Sequence, residues 1–345
     1  ESVTLREAAV IAERIRQALR NPVRIGDHDL VASASIGLVL ADDDSDPNET
    51  LQRADLAMYA AKASHPGQVE IFVPSLHQQV VERYELENDL KSAIRRGELV
   101  LHYQPVVELE SGVMVGVEAL VRWQHPERGL LGPDQFIPIA EESGVVGELG
   151  LWVLGEATAQ VLRWDACEGG RGLHVAVNLS ARQLVDPGLA HDVDRCLREI
   201  GIPPSRVTLE VTESALLENA DERIARLHEL TALGITLAID DFGTGYSSLS
   251  YLRRLPADIL KIDRSFVSGI ASEPQEWALA SAVVRLATSV GKQTLAEGIE
   301  RPEQLAHLMA LGCRLGQGYL FSRPVPASEI EQLFKVPRLP VPTAT

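Results

Sequence analysis

The chain has 345 residues, is 45% hydrophobic and 23% charged, and carries a formal net charge of −17. That composition suits a globular chain with one large domain plus a smaller piece, and the acid excess excludes a broad basic face for a nucleic-acid polymer. Cys167, Cys196 and Cys313 are far apart and form no CxxC pair, which excludes a disulfide framework or zinc ribbon and suits a reducing cytoplasm.

No apolar run is long enough to span a membrane, and no signal peptide opens the chain. The chain starts at Glu1 rather than at a methionine. It reads as a fragment, with an upstream sensory domain or membrane anchor expected outside it. Arg6 to Arg20 has helical spacing, with Ala8, Ile11, Ile15 and Leu19 on one face. Val23–Ile25 and Leu30–Leu40 read as strands, and residues 41–46 as an acidic loop. Glu49–Ala63 reads as a second amphipathic helix and Val69–Phe72 as a short strand. Ser75–Arg96 is helical, with Leu86, Leu90 and Ile94 on one face. The domains so read are residues 1–74, a linker helix 75–97, a large domain 98–336, and a Pro-rich tail 337–345.

From Glu98 the chain repeats one plan, an apolar strand ending in polar residues and then an amphipathic helix. The strands read are Val100–Pro105, Met114–Trp123, His174–Ser180, Val207–Thr212, Leu237–Asp241, Ile259–Asp263, Thr294–Glu297 and Tyr319–Ser322. Helices fall near Pro133–Glu142, Gly147–Asp165, Ala190–Ile200, Asp221–Ala232, Ser247–Arg254, Glu276–Val290, Pro302–Leu311 and Ala327–Leu333. Eight such strands predict an α/β fold, a (β/α)8 TIM-like barrel preceded by a partial α+β piece. A doubly wound open sheet is the alternative, weakened because no Gly-rich phosphate loop follows the first strand.

In such a barrel the strand ends face one site. They deliver Gln104, Glu118, Asn178, Glu210, Glu213, Asp240, Asp241, Lys261, Asp263, Glu297, Glu300 and Gln317. That is an oxygen-ligand set with one lysine and no histidine or cysteine, which prefers Mg2+ or Mn2+, with Ca2+ as an inert occupant. So many convergent acids need cations to stay ionised together, and two divalent ions would also clamp an in-line attack at phosphorus. Adjacent strand residues point to opposite faces, so Asp240 and Asp241 must end the strand rather than lie within it. Taken alone, that pair could equally be a helix cap. Lys261 is either a buried partner of a strand-end acid or a lysine that orients or deprotonates the attacking water.

Two resemblances follow from motifs. Ser35-Ile36-Gly37 and Ala54-Asp55-Leu56-Ala57-Met58-Tyr59-Ala60-Ala61-Lys62 resemble the C-terminal half of a GGDEF domain. Its Gly-Gly-Asp-Glu-Phe signature is missing, Ser64-His65-Pro66-Gly67-Gln68 departs from the family's pattern, and cyclase activity is not expected of this piece. Glu118-Ala119-Leu120, Val121-Arg122-Trp123, Tyr103-Gln104-Pro105, Val177-Asn178-Leu179-Ser180, Glu210-Val211-Thr212-Glu213, Asp240-Asp241-Phe242-Gly243, Lys261-Ile262-Asp263, Ala296-Glu297-Gly298-Ile299-Glu300 and Gln317-Gly318-Tyr319 resemble the EAL domain in order and rough spacing. The match runs over about residues 80–335. Cys313-Arg314-Leu315 departs from it and is expected to alter an edge contact rather than chemistry.

The EAL resemblance implies hydrolysis of cyclic di-GMP to linear pGpG with two Mg2+ or Mn2+ ions and Ca2+ as an inhibitory occupant. It implies Glu118, Asn178, Glu210, Asp240 and Asp241 as metal ligands and Lys261 and Glu297 as catalytic groups. Glu213 is counted with these because it fastens the loop after Asp241. Gln104, Arg122, Asp263, Glu300 and Gln317 form the implied substrate-binding set. A homodimer through the barrel, near the loop after Asp241, is also implied. A receptor that binds the dinucleotide without cleaving it, or a pure interaction module, are the alternatives; intact acids favour the enzyme. The His28-Asp29 and His191-Asp192 pairs are read as surface or capping groups, Trp123 and Trp152 as core, and Glu108, Glu110 and the Asp42–Asp44 run as solvated charges.

Overall fold

In a computed structural model the chain divides into two compact units, residues 1–89 and 90–345. All residues are described except 1–3, 21–22, 26–27, 31, 42–44, 65–66, 217–219, 244–251, 337–338 and 340–345. No helix among the described residues is long and apolar enough to cross a membrane.

The first unit starts with α1 (Leu5–Leu19), whose N-terminus is closed by a capping box between Thr4 and Glu7. β1 (Val23–Ile25) and β2 (His28–Leu30) form an antiparallel pair. β3 (Ile36–Leu38), α2 (Pro47–Ser64) and the parallel partner β4 (Val69–Ile71) follow. The single strand expected over Leu30–Leu40 is therefore two strands with different partners. Gly37 explains the Ser-Ile-Gly motif, since a Cβ there would lie 2.0 Å from the Ala54 carbonyl oxygen of α2. Only a glycine lets the helix backbone approach so closely. α3 (Pro74–Arg96) crosses the boundary between units.

The second unit is a closed barrel. β5 (Leu99–Glu108), β6 (Met114–His125), β8 (His174–Asn178), β9 (Val207–Thr212), β10 (Thr236–Phe242), β11 (Ile259–Ile262), β12 (Gln293–Ala296) and β13 (Leu315–Gly316) pair in that order, and β13 returns to β5. β7 (Gly129–Leu131) extends the β6 edge as a hairpin, and β14 (Val325–Pro326) pairs with β5. The parallel strands are covered by α4 (Pro133–Ser143), α5 (Val146–Trp164), α6 (Leu189–Ile200), α7 (Ala220–Ala232) and the later helices Pro274–Ser289 and Pro302–Leu311. Leu237, Ala238 and Ile239 of β10 are all essentially unexposed, as a strand walled on both faces requires.

Two readings of the barrel are corrected. β5 runs antiparallel to both β6 and β13, because residues 109–113 are too few for the crossover that a parallel pair needs. The eighth strand is Leu315–Gly316, whereas Tyr319–Ser322 forms a turn in which the Phe321 and Ser322 amides donate to the Gly318 carbonyl. The expected Ser247–Arg254 helix, the Asp42–Asp44 run and most of the Pro-rich tail lie wholly or largely outside the described residues. Trp123 is fully buried, with its Nε1 donating to Glu98 at 3.0 Å, whereas Trp152 is only half-buried. Arg314 forms an exposed ion pair with Glu108 at 3.5 Å.

Candidate active site

The difficulty of two adjacent acids at one strand end is solved by an irregularity. The register between β10 and β11 shifts between Ile239 and Phe242. Asp241 takes φ +54°, the single left-handed non-glycine among the described residues. Asp is one of the few side chains that tolerates this conformation. The kink lets carboxylate oxygens of Asp240 and Asp241 converge with one from Glu297, all within 4.8 Å of one another. The Asp241 amide closes the kink by donating to Asp240 Oδ1 at 2.9 Å.

At the centre lies Lys261, delivered by β11 and fully buried. Its Nζ is 2.7 Å from Glu210, 2.7 Å from Glu297, 3.1 Å from Asp240 and 3.8 Å from Glu118. Amides fill the remaining positions. Asn178 Nδ2 donates to Glu118 at 2.8 Å, and Gln317 Nε2 donates to Glu118 at 2.7 Å and to Glu297 at 3.0 Å. Gln104 sits opposite Glu118 in the β5–β6 register. Its Nε2 donates to the Ser322 carbonyl at 3.2 Å.

Four carboxylates around one ammonium leave three negative charges uncompensated, before Asp241 is counted. The protonation equilibria record that surplus. Burial raises the Glu210 pKa well above the usual carboxylate range, and Glu118 and Asp240 add to the rise against the pull of Lys261. Burial likewise brings Glu297 to about 7. Asp241 reaches about 6 through burial and the charges of Asp240 and Asp263. Glu118 goes the other way: burial is outweighed by Lys261 and by the Gln317 and Asn178 amides. Burial also opposes the charge on Lys261, yet the four acids win and hold its pKa well above the usual value. Among these acids Lys261 is held as a cation.

The donor set fits divalent cations. It consists of oxygens with a surplus of negative charge, and Gln317 Oε1 and Glu213 Oε1 are buried without a hydrogen-bond partner. A buried acceptor without a donor is costly, and a hard cation or its water shell satisfies it.

Residues 87–324 match the family model described as EAL domain, and residues 1–68 match that of the diguanylate cyclase, GGDEF domain. The chain belongs to the EAL domain family. It is 42% identical to the bifunctional diguanylate cyclase/cyclic di-GMP phosphodiesterase MucR of Pseudomonas aeruginosa, over 94% of this chain and 47% of that protein. It is 40% identical to the cyclic di-GMP phosphodiesterase PdeR of Escherichia coli, over 94% of this chain and 49% of that protein. The chain thus spans about half the length of these curated relatives. Among solved structures, that of the PaMucR phosphodiesterase in complex with c-di-GMP is 46% identical, with a TM-score of 0.68 over 71% of this chain and 99% of that one.

Around the EAL acid cluster the other expected residues separate. Glu213 is buried, and its Oε2 accepts the Gly243 amide at 2.8 Å while its own amide donates to the Asp240 carbonyl at 3.0 Å. It ties the end of β9 to the end of β10. Asp263 caps the helix Arg264–Gly269 by accepting the Ser265 amide and also acts electrostatically on Asp241. Glu300 forms an exposed ion pair with Arg264 at 3.1 Å. Arg122 is half-buried, four residues beyond Glu118 on β6, and its Nη1 donates to the Val121 carbonyl at 2.8 Å. The loop expected to carry a dimer contact lies largely outside the described residues.

Motif residues and helix residues outside the motifs together line a cavity of about 1090 Å3 beside Asn178, Asp240 and Asp241. Leu120, Ile137, Val146, Leu149 and Val153 make its apolar wall, and Glu141 and Ser180 bring polar groups to it. The sequence signal for it was weak, because these positions also read as ordinary helix core. Apolar walls with a few placed polar groups are what a small organic ligand requires.

Proposed function

We propose that this EAL domain hydrolyses cyclic di-GMP to linear pGpG. The observation that carries the reading is the buried Lys261 among Glu118, Glu210, Asp240 and Glu297, a surplus of carboxylate that has no structural purpose without cations. The names of the relatives, which include cyclic di-GMP phosphodiesterases, support the substrate. Glu118, Asn178, Glu210, Asp240 and Asp241 would hold two Mg2+ or Mn2+ ions, which when bound neutralise the diester and polarise the attacked phosphorus. Ca2+ would occupy the same oxygens as an inhibitor.

The chain's own residues do the rest. Lys261 orients the attacking water, and Glu297, bonded to both Lys261 and Gln317, receives its proton. The oxygen–phosphorus bond to one ribose 3′ oxygen breaks as the water oxygen bonds to phosphorus, and the departing 3′ oxygen takes a proton from solvent to leave as a hydroxyl. Arg122 meets a phosphate, for which its planar fork is suited. Gln104 and Asp263 flank the reacting diester, and Glu300 serves only at the rim. Glu213 keeps the end of β10 in position.

Incubation with cyclic di-GMP and Mn2+ is expected to yield pGpG, and EDTA is expected to abolish it. Tight binding without product would make the protein a receptor instead. Glu213→Gln is expected to lower metal affinity or activity by about 10–100-fold, as loss of a group that orients ligands does. Calorimetric metal titration of the folded variant checks this, and an unchanged affinity and rate would remove Glu213 from the site.

A further inference from the structure

A ligand built of two identical guanosine halves needs two base stations. The cavity beside Asn178, Asp240 and Asp241 serves one side of the acid cluster only. Across the cluster, after Gln317, lies a turn whose backbone is pinned. A Cβ on Gly318 would sit 2.2 Å from the Ile299 carbonyl oxygen, so only glycine allows that approach. The Leu320 amide donates to the same carbonyl at 2.9 Å, Phe321 is buried, and Gln104 holds the Ser322 carbonyl.

Within this rigid turn Tyr319 is left 44% exposed. The guanidinium carbon of Arg323 lies 4.1 Å from its ring centroid, a close cation–π contact. Pro324 follows and restricts Arg323 to extended backbone. Arg122 lies within electrostatic reach of both Tyr319 and Glu118. Two guanidinium groups thus stand within reach of one exposed aromatic ring.

We infer that the Tyr319–Arg323 pair reads one guanine of the dinucleotide. Tyr319 holds the plane of the Arg323 guanidinium, whose forked N–H groups donate to O6 and N7 of the base. Adenine presents a donor where guanine has O6, so it leaves an N–H facing an N–H. Arg323 is thus a specificity-determining residue and Tyr319 a positioning residue. The inference rests on the phosphodiesterase reading and involves no covalent step.

The test uses the 345-residue chain. Binding of cyclic di-GMP and of cyclic di-AMP is measured by calorimetry in Ca2+, and turnover of cyclic di-GMP in Mn2+. Tyr319→Ala and Arg323→Ala are expected to weaken cyclic di-GMP by at least about tenfold. They should raise KM more than they lower kcat and narrow the preference over cyclic di-AMP. Tyr319→Phe keeps the ring and should restore the parent values. Arg323→Lys keeps the charge but loses the fork, and should narrow the preference as Arg323→Ala does. Unchanged affinity and preference in both alanine variants, with thermal melting confirming their fold, would overturn the inference while leaving the phosphodiesterase reading intact. A parent chain that neither binds nor cleaves cyclic di-GMP would overturn both.

Discussion

Lys261→Met is expected to abolish turnover and to destabilise the metal-free protein in a strongly pH-dependent way. The side chain is fully buried and faces four carboxylates within 3.8 Å. Removing one partner of a buried ion pair costs about 3–5 kcal/mol, since the other charges stay buried and unpaired. Methionine fills a similar volume, so a cavity adds little. The sign of the pH effect follows from Glu297 and Glu210, whose folded pKa values lie above the unfolded carboxylate value of 4.5. The folded state then binds more protons than the unfolded state, so stability falls as pH rises from 4.5 through the folded value of about 7 for Glu297. Without Lys261 those values rise further and the loss deepens. The melting temperatures of parent and variant should lie far apart at pH 8 and close together at pH 5. Mn2+ should narrow the gap at pH 8 by supplying the missing positive charge. A gap independent of pH would show that Lys261 does not neutralise the acids. Turnover in the presence of Mn2+ should fall by at least about 10²-fold, the loss typical of one preorganised electrostatic group.

The acids that surround Lys261 were legible because each interrupts or closes an apolar strand, where a polar residue is out of place unless a site needs it. Asp240–Asp241 was legible as a strand end but not as a kink, since a left-handed aspartate leaves no mark in the pattern of residue types. The antiparallel β5 could have been read from the five residues between β5 and β6, which are too few to cross a barrel. Eight strand-like segments instead suggested eight equal units. β13 escaped because two residues are too short to show alternation, and Tyr319–Ser322 was read in its place. The direction of Glu300 was not legible for a related reason. It follows Glu297 by three residues, yet the backbone turns at Gly298, which has φ +66°, and sends Glu300 out to Arg264. The cavity wall was hardest to see, because Leu149 and Val153 of α5 have the same spacing whether they face a core or a ligand.

Glu118→Gln separates the chemistry of this site from its folding. Glu118 is buried and accepts from Asn178 at 2.8 Å and from Gln317 at 2.7 Å. Glutamine keeps the shape and one acceptor oxygen but removes a negative charge, and its own amide group faces one of the two amides that donated to the carboxylate. Lost or mispaired hydrogen bonds cost about 1–3 kcal/mol each. Against that, the substitution removes one of the surplus carboxylates, which relieves repulsion most at high pH, where Glu297 is ionised. The two effects oppose each other, so the metal-free melting temperature at pH 8 should change far less than in Lys261→Met. Metal binding has no such compensation, because a charged oxygen ligand is replaced by a neutral one. Cyclic di-GMP turnover should therefore fall by at least about 10²–10³-fold in Mn2+, while the far-ultraviolet circular dichroism stays that of the parent. Retained turnover would place the metals elsewhere. A collapsed melting temperature at pH 8 would show that Glu118 belongs to the scaffold, and that the acid surplus around Lys261 is smaller than the geometry implies.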